Sequence, residues 1–239
     1  MAPDEKTRAP LTAFIIAALA GVPVIAALAY MLPNPGQFAG FAIGAGLSFY
    51  TLACALIGYY LLRSYPHARL GLCNIVTLMR LMLVAVLFAA LVGDIAPNWV
   101  LFCIAVFALA LDGVDGWLAR RQGLASDFGA RFDVEVDAAF ALLLAIYAAT
   151  QGAAGFWVIL LGVPHYLFAA ARLMLPWLNG ALRPSIARKA VCVFQIATLI
   201  ALQIPFFEDG QLNILIAAVV LALVWSFGRD ILWLWRTQK

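Results

Sequence analysis

Charge is scarce in this chain. Of 239 residues only 11% are Asp, Glu, Lys or Arg, whereas 66% are hydrophobic. A soluble domain is about half apolar and about a quarter charged, so a water-soluble globular fold is excluded. No stretch is long and polar enough for a soluble domain, and there is neither a low-complexity tail nor a clear internal repeat. The four cysteines, Cys54, Cys73, Cys103 and Cys192, are scattered and form no CxxC pair. That spacing argues against disulfides or a thiolate metal site and for small buried hydrophobes.

The apolar residues instead form long runs, which predicts an all-α, polytopic integral membrane bundle. Eight spans are expected, near 11–31, 38–62, 74–92, 97–119, 128–150, 154–176, 187–206 and 211–235. The connections after the third, fifth and seventh contain no Lys or Arg and hold Asp94, Glu208 and Asp209. The other side collects Lys6, Arg8, Arg63, Arg69, Arg120, Arg121, Arg131, Arg183, Arg188, Lys189, Arg236 and Lys239. Positive charge stays in the cytoplasm, so both termini are expected there, in a bacterial inner (cytoplasmic) membrane. Ala27-Leu28-Ala29 resembles a signal cleavage site, but the preceding apolar run is too long and follows Asp4 and Glu5, so a retained helix is expected.

Two local features qualify this picture. Residues 63–73 interrupt the apolar pattern and suggest a short interfacial segment with Arg63 and Arg69 near headgroups. Gly36, Gly40 and Gly44 recur every fourth residue, a stripe that permits close helix contact. Packing within the monomer is the expected use; a homodimer interface is the alternative.

Against this apolar background stand Asp112, Asp115, Asp133 and Asp137. Residues three or four apart share a helix face, so each pair projects two carboxylates in one direction. The rise is about 4.5 Å within the first pair and about 6 Å within the second. Two antiparallel neighbouring helices can therefore gather four carboxylates around one or two ions. Such a group repels itself unless something cationic sits within it, and ionisable residues at membrane depth usually mark function. Carboxylate oxygens suit Mg²⁺ or Mn²⁺, two such ions can clamp a phosphoryl displacement, and a partly free carboxylate can take a proton from a hydroxyl. Gly116 and Ala119 permit close approach to the backbone, Arg120 is placed to neutralise phosphate, and Gly129 precedes Asp133 by one turn.

The run Asp112-x2-Asp115-Gly116-x2-Ala119-Arg120-x8-Gly129-x3-Asp133-x3-Asp137 resembles, at all eight fixed positions, the signature of the CDP-alcohol phosphotransferase family. The resemblance implies a six-helix core over residues 70–239, with residues 1–69 as a two-helix membrane addition. It also implies transfer of a phosphatidyl group from a CDP-linked lipid donor, usually CDP-diacylglycerol, to a small alcohol, with release of CMP. Asp112, Asp115 and Asp133 would bind two divalent ions. Asp137 would lie at the same metal site and act as general base. Gly116, Ala119, Arg120 and Gly129 would line the nucleotide pocket. Asn74, Thr77 and Arg80 resemble a family segment on the nucleotide side, although Cys73 stands where Pro is common. Membrane lipids are the expected surroundings, and nucleic acid is not an expected partner.

The acceptor is less constrained. Where the family often has Gly-Lys followed by Thr, this chain has Ser185-Ile-Ala-Arg188-Lys189-Ala190. Arg172, Arg183, Arg188 and Lys189 favour a phosphorylated alcohol such as glycerol phosphate or inositol phosphate; serine, choline or another polar alcohol is the alternative. Arg80 and Arg172 read equally as snorkelling side chains or as a phosphate pocket. Asp127 is expected to cap the fifth span, Glu135 to hydrogen-bond between helices, His165 to be packed, and Trp99, Trp157, Trp233 and Trp235 to form an aromatic belt. Two other functions compete. An intramembrane prenyltransferase also uses Asp motifs and Mg²⁺, but on well-separated helices. A divalent-cation transporter needs a continuous polar path, and the extracellular halves of these spans offer almost no polar side chains.

Overall fold

The computed structural model describes residues 5–32, 39–151, 154–180, 183, 185–204 and 212–237, with side chains from residue 9 onward. Among these residues the chain forms eight α-helices: α1 (Glu5–Tyr30), α2 (Ala39–Ser64), α3 (Leu72–Val92), α4 (Trp99–Gln122), α5 (Asp127–Thr150), α6 (Pro164–Met174), α7 (Ile186–Ala201) and α8 (Asn213–Thr237). Two short 3₁₀ helices, Phe156–Leu161 and Pro176–Asn179, flank α6. No strand occurs among the described residues. In α1 (from Ala9), α2, α3, α4 and α8 the helix is long and apolar enough to cross a membrane. The protein is thus the helical membrane bundle that its composition predicts.

The chain divides into two compact units. The first comprises α1, α2, α3, α4 from Val100, and α5 as far as Asp137. Its centre is α3, whose buried residues run from Cys73 to Ala90. Helices α1 and α2 pack on α3 and on each other. Close approach of α2 to α3 depends on Gly46: a Cβ there would lie 2.8 Å from the Ala85 carbonyl oxygen and 2.9 Å from the Ala89 methyl. One turn further on, Phe49 stacks on Phe88 at 5.0 Å. Tyr50 donates to the Ala18 carbonyl of α1 at 3.2 Å, which satisfies its buried hydroxyl. The anticipated glycine stripe is not the seam. Gly40 and Gly44 have nothing within 4 Å of a built Cβ, and Gly36 lies outside the described residues. A period of four tracks a helix face without saying whether a partner covers it; the residue that meets α3 is two positions beyond Gly44.

The second unit holds α5 from Ala138, both 3₁₀ helices, α6, α7 and α8. Helix α8 contacts α7 and both 3₁₀ segments, and Phe168 of α6 meets Phe227 of α8 at 5.8 Å. The stretch 154–176, anticipated as one span, is broken. Gly162 ends the first 3₁₀ helix and Pro164 starts α6. Proline has no N–H to donate backward but suits a helix's first turn. Gly162 also lies against α5, where a Cβ would meet the Leu142 Cα at 2.7 Å. Two glutamines serve backbone carbonyls in this apolar setting. Gln195 donates to Leu161 O, and Gln203 donates to Leu144 O and Leu199 O. Cys54 is half-buried and Cys73 buried, but Cys103 and Cys192 are exposed. Burial was the expectation for all four; helices that face lipid do not need to bury apolar side chains against protein.

Replacing Gly46 by Val should lower stability by about 1–3 kcal/mol through overpacking against α3, whereas Gly40→Val should change it little. Thermal unfolding of the purified variants in detergent checks this; equal behaviour of the two would contradict the assigned seam.

Candidate active site

The signature residues lie in the first unit, on α4 and α5, and the Asn74, Thr77 and Arg80 segment lies in the same unit on α3. Helix α4 ends at Gln122, and Gly123 follows with φ +64°. That left-handed residue suits glycine and permits Leu124 N–H to return to the Ala119 carbonyl. Ser126 then caps α5: its Oγ accepts from Gly129 N at 3.1 Å, and its carbonyl accepts from Ala130 N. Asp127, expected as the cap, instead occupies the first turn, where its charge suits the helix dipole. This tight reversal, joined to the Gln122 side chain that accepts from Leu72 N at 3.0 Å, fixes the ends of α3, α4 and α5 against one another.

Asn74, Thr77 and Arg80 follow each other at three-residue steps on α3, and all three are buried. The Arg80 side chain is only 2% exposed and pairs with all four aspartates. Nη2 lies 3.1 Å from Asp112 Oδ1, and Nη1 lies 2.9 Å from Asp115 Oδ2. Nη1 also bonds Asp133 Oδ1, and Nη2 bonds Asp137 Oδ1. Arg80 therefore neither snorkels to the interface nor stands in an open pocket; a charge this deep is tolerable because it is matched and hydrogen-bonded.

The aspartates are not equivalent. Asp115 is 4% exposed, whereas the side chains of Asp112, Asp133 and Asp137 are 34%, 34% and 32% exposed. Asp115 Oδ2 lies 3.1 Å from Thr77 Oγ1, whose single proton is shared with the Cys73 carbonyl at 3.0 Å. Asp115 Oδ1 accepts from Gly116 N at 2.7 Å. It is the anchored member of the set. Asp112, Asp133 and Asp137 each offer an oxygen within 4.8 Å of the others. Three half-exposed carboxylates at that separation, with hard oxygen donors, fit a divalent cation such as Mg²⁺ or Mn²⁺.

The residues expected to line a nucleotide pocket sit around this cluster. A Cβ on Gly129 would lie 3.2 Å from Asn74 Oδ1, so the absence of a side chain lets α5 close on α3. Gly116 is half-buried, Ala119 is half-buried one turn beyond it, and Arg120 is exposed with its Nη1 3.5 Å from a Cβ built on Gly116. Tyr65 is a contributor that the sequence did not announce. Its hydroxyl donates to Arg69 O at 2.8 Å and accepts from Gly71 N and from Asn74 Nδ2, each at 3.3 Å. Burial pushes its pKa up, so the phenol stays a neutral donor. The linker 65–71 is therefore a non-helical strap held by Tyr65, which also packs edge-on against Phe128 at 5.3 Å. Its only advance signal was a lone Tyr in a polar interruption. Glu135 lies exposed on α5, away from the face of Asp133 and Asp137.

The basic residues expected to serve an acceptor lie in the second unit. Arg188 donates to Asp230 Oδ2 at 2.9 Å and to Arg183 O at 3.1 Å. Arg183 covers the Trp233 ring at 3.3 Å, so that tryptophan is more than part of a belt. Arg229, unanticipated, donates to the Ser185 cap at 2.7 Å. Arg172 is exposed and bonds Asn179 at 2.8 Å, and Lys189 is exposed. His165 is half-buried, edge-on to Tyr166.

Two helices, α4 and α5, thus bring four aspartates together around Arg80 of α3 inside a membrane helical bundle. Comparison with known protein families places this: the CDP-alcohol phosphatidyltransferase family model matches residues 70–228, more than half of the chain, and the protein belongs to that family. No curated protein and no solved structure matches it.

Replacing Tyr65 by Phe should cost about 1–3 kcal/mol, because Arg69 O, Gly71 N and Asn74 Nδ2 lose a common partner. Thermal unfolding in detergent measures this; an unchanged midpoint would show that the strap is not held by the phenol.

Proposed function

We propose that the protein transfers a phosphatidyl group from CDP-diacylglycerol to the hydroxyl of a small alcohol and releases CMP. The observation that carries this reading is the convergence of Asp112, Asp133 and Asp137 beside the anchored Asp115, within the family's segment. Asp112, Asp115, Asp133 and Asp137 would hold two divalent ions, Mg²⁺ or Mn²⁺. When bound, these neutralise the donor's diphosphate and favour departure of CMP.

The chain's own residues supply the rest. Gly116 leaves backbone open to the nucleotide, Gly129 lets α5 close on Asn74, Asn74 and Thr77 shape the pocket's inner side, and Ala119 keeps the helix face low. Arg120 neutralises phosphate charge at the end of α4. Asp137 takes the proton of the acceptor hydroxyl. The hydroxyl oxygen then forms a bond to the phosphorus that carries the lipid, and the bond from that phosphorus to the CMP oxygen breaks. Bringing the two substrates into line is the protein's main contribution. Residues 70–239 form the catalytic core, and residues 1–69 are a membrane addition to it. The positive-inside bias puts the aspartates and both termini on the cytoplasmic side of an inner membrane.

Arg172, Arg183, Arg188 and Lys189 point to a phosphorylated acceptor, such as glycerol phosphate or inositol phosphate. Arg229 joins them because it shares the Ser185 hydroxyl with the start of α7.

Asp137→Asn should lower CMP release by at least about a hundredfold while the variant keeps the wild-type thermal midpoint. EDTA should abolish turnover in the wild type, and Mg²⁺ or Mn²⁺ should restore it. CMP release measured by chromatography decides both; undiminished turnover of Asp137→Asn, or full activity after chelation, would defeat the proposal.

A further inference from the structure

Arg80 has a consequence for the aspartate site beyond its own burial. Its guanidinium is a planar fork that keeps its charge under all working conditions. Here each terminal nitrogen serves two carboxylates, so one cation ties together α3, α4 and α5. It approaches from the buried side, while Asp112, Asp133 and Asp137 keep about a third of their side-chain surface open. Four carboxylates with one guanidinium carry a formal charge of −3; without it the same cluster would carry −4 in a low-dielectric setting.

We infer that Arg80 is a built-in counter-ion of the metal site: it holds the four carboxylates together before a divalent cation arrives and competes with that cation for them. The inference rests on the metal-site reading given above. Its physical basis is that a guanidinium and a divalent ion sharing the same carboxylates repel each other and draw on the same negative charge. Coulomb energies at these separations exceed the entropy of fixing a few side chains. Arg80 thereby keeps the metal-free protein folded and makes metal binding weaker and reversible. It is a positioning residue, since it acts through the aspartates.

The test uses full-length protein purified in detergent, with Mn²⁺ as the probe. Free Mn²⁺ is followed by electron paramagnetic resonance for wild type, Arg80→Gln and Arg80→Lys, and thermal midpoints are taken in EDTA and in Mn²⁺. Arg80→Gln should bind Mn²⁺ roughly tenfold tighter or more. Its midpoint should fall in EDTA and recover in Mn²⁺, whereas the wild-type midpoint moves less between the two. Arg80→Lys, which keeps the charge on one ammonium, should fall between them. Unchanged or weaker Mn²⁺ binding by Arg80→Gln, or an equal loss of midpoint with and without Mn²⁺, overturns the inference alone. If Arg80→Gln yields no folded protein in either condition, the affinity of Arg80→Lys decides by the same criterion. Absence of Mn²⁺ binding in wild type and both variants overturns the metal site and the inference together.

Discussion

Four carboxylates close together near the ends of membrane helices repel one another, and the first unit is arranged around that repulsion. Arg80 meets it from within, one guanidinium against Asp112, Asp115, Asp133 and Asp137. For the guanidinium to reach all four, α3 must lie beside both α4 and α5, and their ends must be in register. The tight reversal at Gly123, the Ser126 cap, the Gln122 bond to Leu72 and the Tyr65 strap all serve that register. Close packing of α2 on α3 through Gly46 backs the same helix from its other side. Stability and chemistry thus share one electrostatic constraint: removal of Arg80 would leave four carboxylates uncompensated where charge is most costly.

The second unit meets a different constraint with the same means. A broken sixth span frees backbone groups in an apolar setting, and side chains answer them. Gln195 takes the Leu161 carbonyl at the end of the 3₁₀ helix, while Gln203 separately bridges the Leu144 carbonyl of α5 and the Leu199 carbonyl of α7. Non-helical backbone within a membrane protein is tolerable where protein groups satisfy it. At the start of α7, Ser185, Arg188, Arg229 and Asp230 form a charged network with Arg183 laid over Trp233. Such a network holds Arg183, Arg188 and Arg229 in place at the start of α7.

Much of this was legible in the sequence, and what was hidden has a common cause. Long apolar runs announced the helices, and three- and four-residue spacings placed each aspartate pair on one face. The need for a cation among them was also plain, but its identity was not. Arg80 sits more than two turns inside α3, a position that reads as snorkelling or as a phosphate pocket until the helices are brought together. Its step of three from Thr77, and of six from Asn74, was the available sign that it shares their buried face. The other differences are likewise tertiary. Gly46 rather than Gly40 or Gly44 meets α3, because a face is not yet a contact. Ser126 rather than Asp127 caps α5, a shift of one residue in a turn. Pro164 breaks a run whose hydropathy alone reads as one span. Cys103 and Cys192 stay exposed because lipid, like protein, accepts them.

We propose that these carboxylates serve a transfer between a CDP-linked lipid and an alcohol. This proposal is tested most directly by incubating the purified protein with CDP-diacylglycerol, Mg²⁺ and a panel of alcohols, then identifying the lipid product by mass. CMP should appear together with one new phospholipid, whose headgroup is a phosphorylated alcohol from the panel. Intact CDP-diacylglycerol with every alcohol, in protein that is folded and supplied with Mg²⁺, would contradict it.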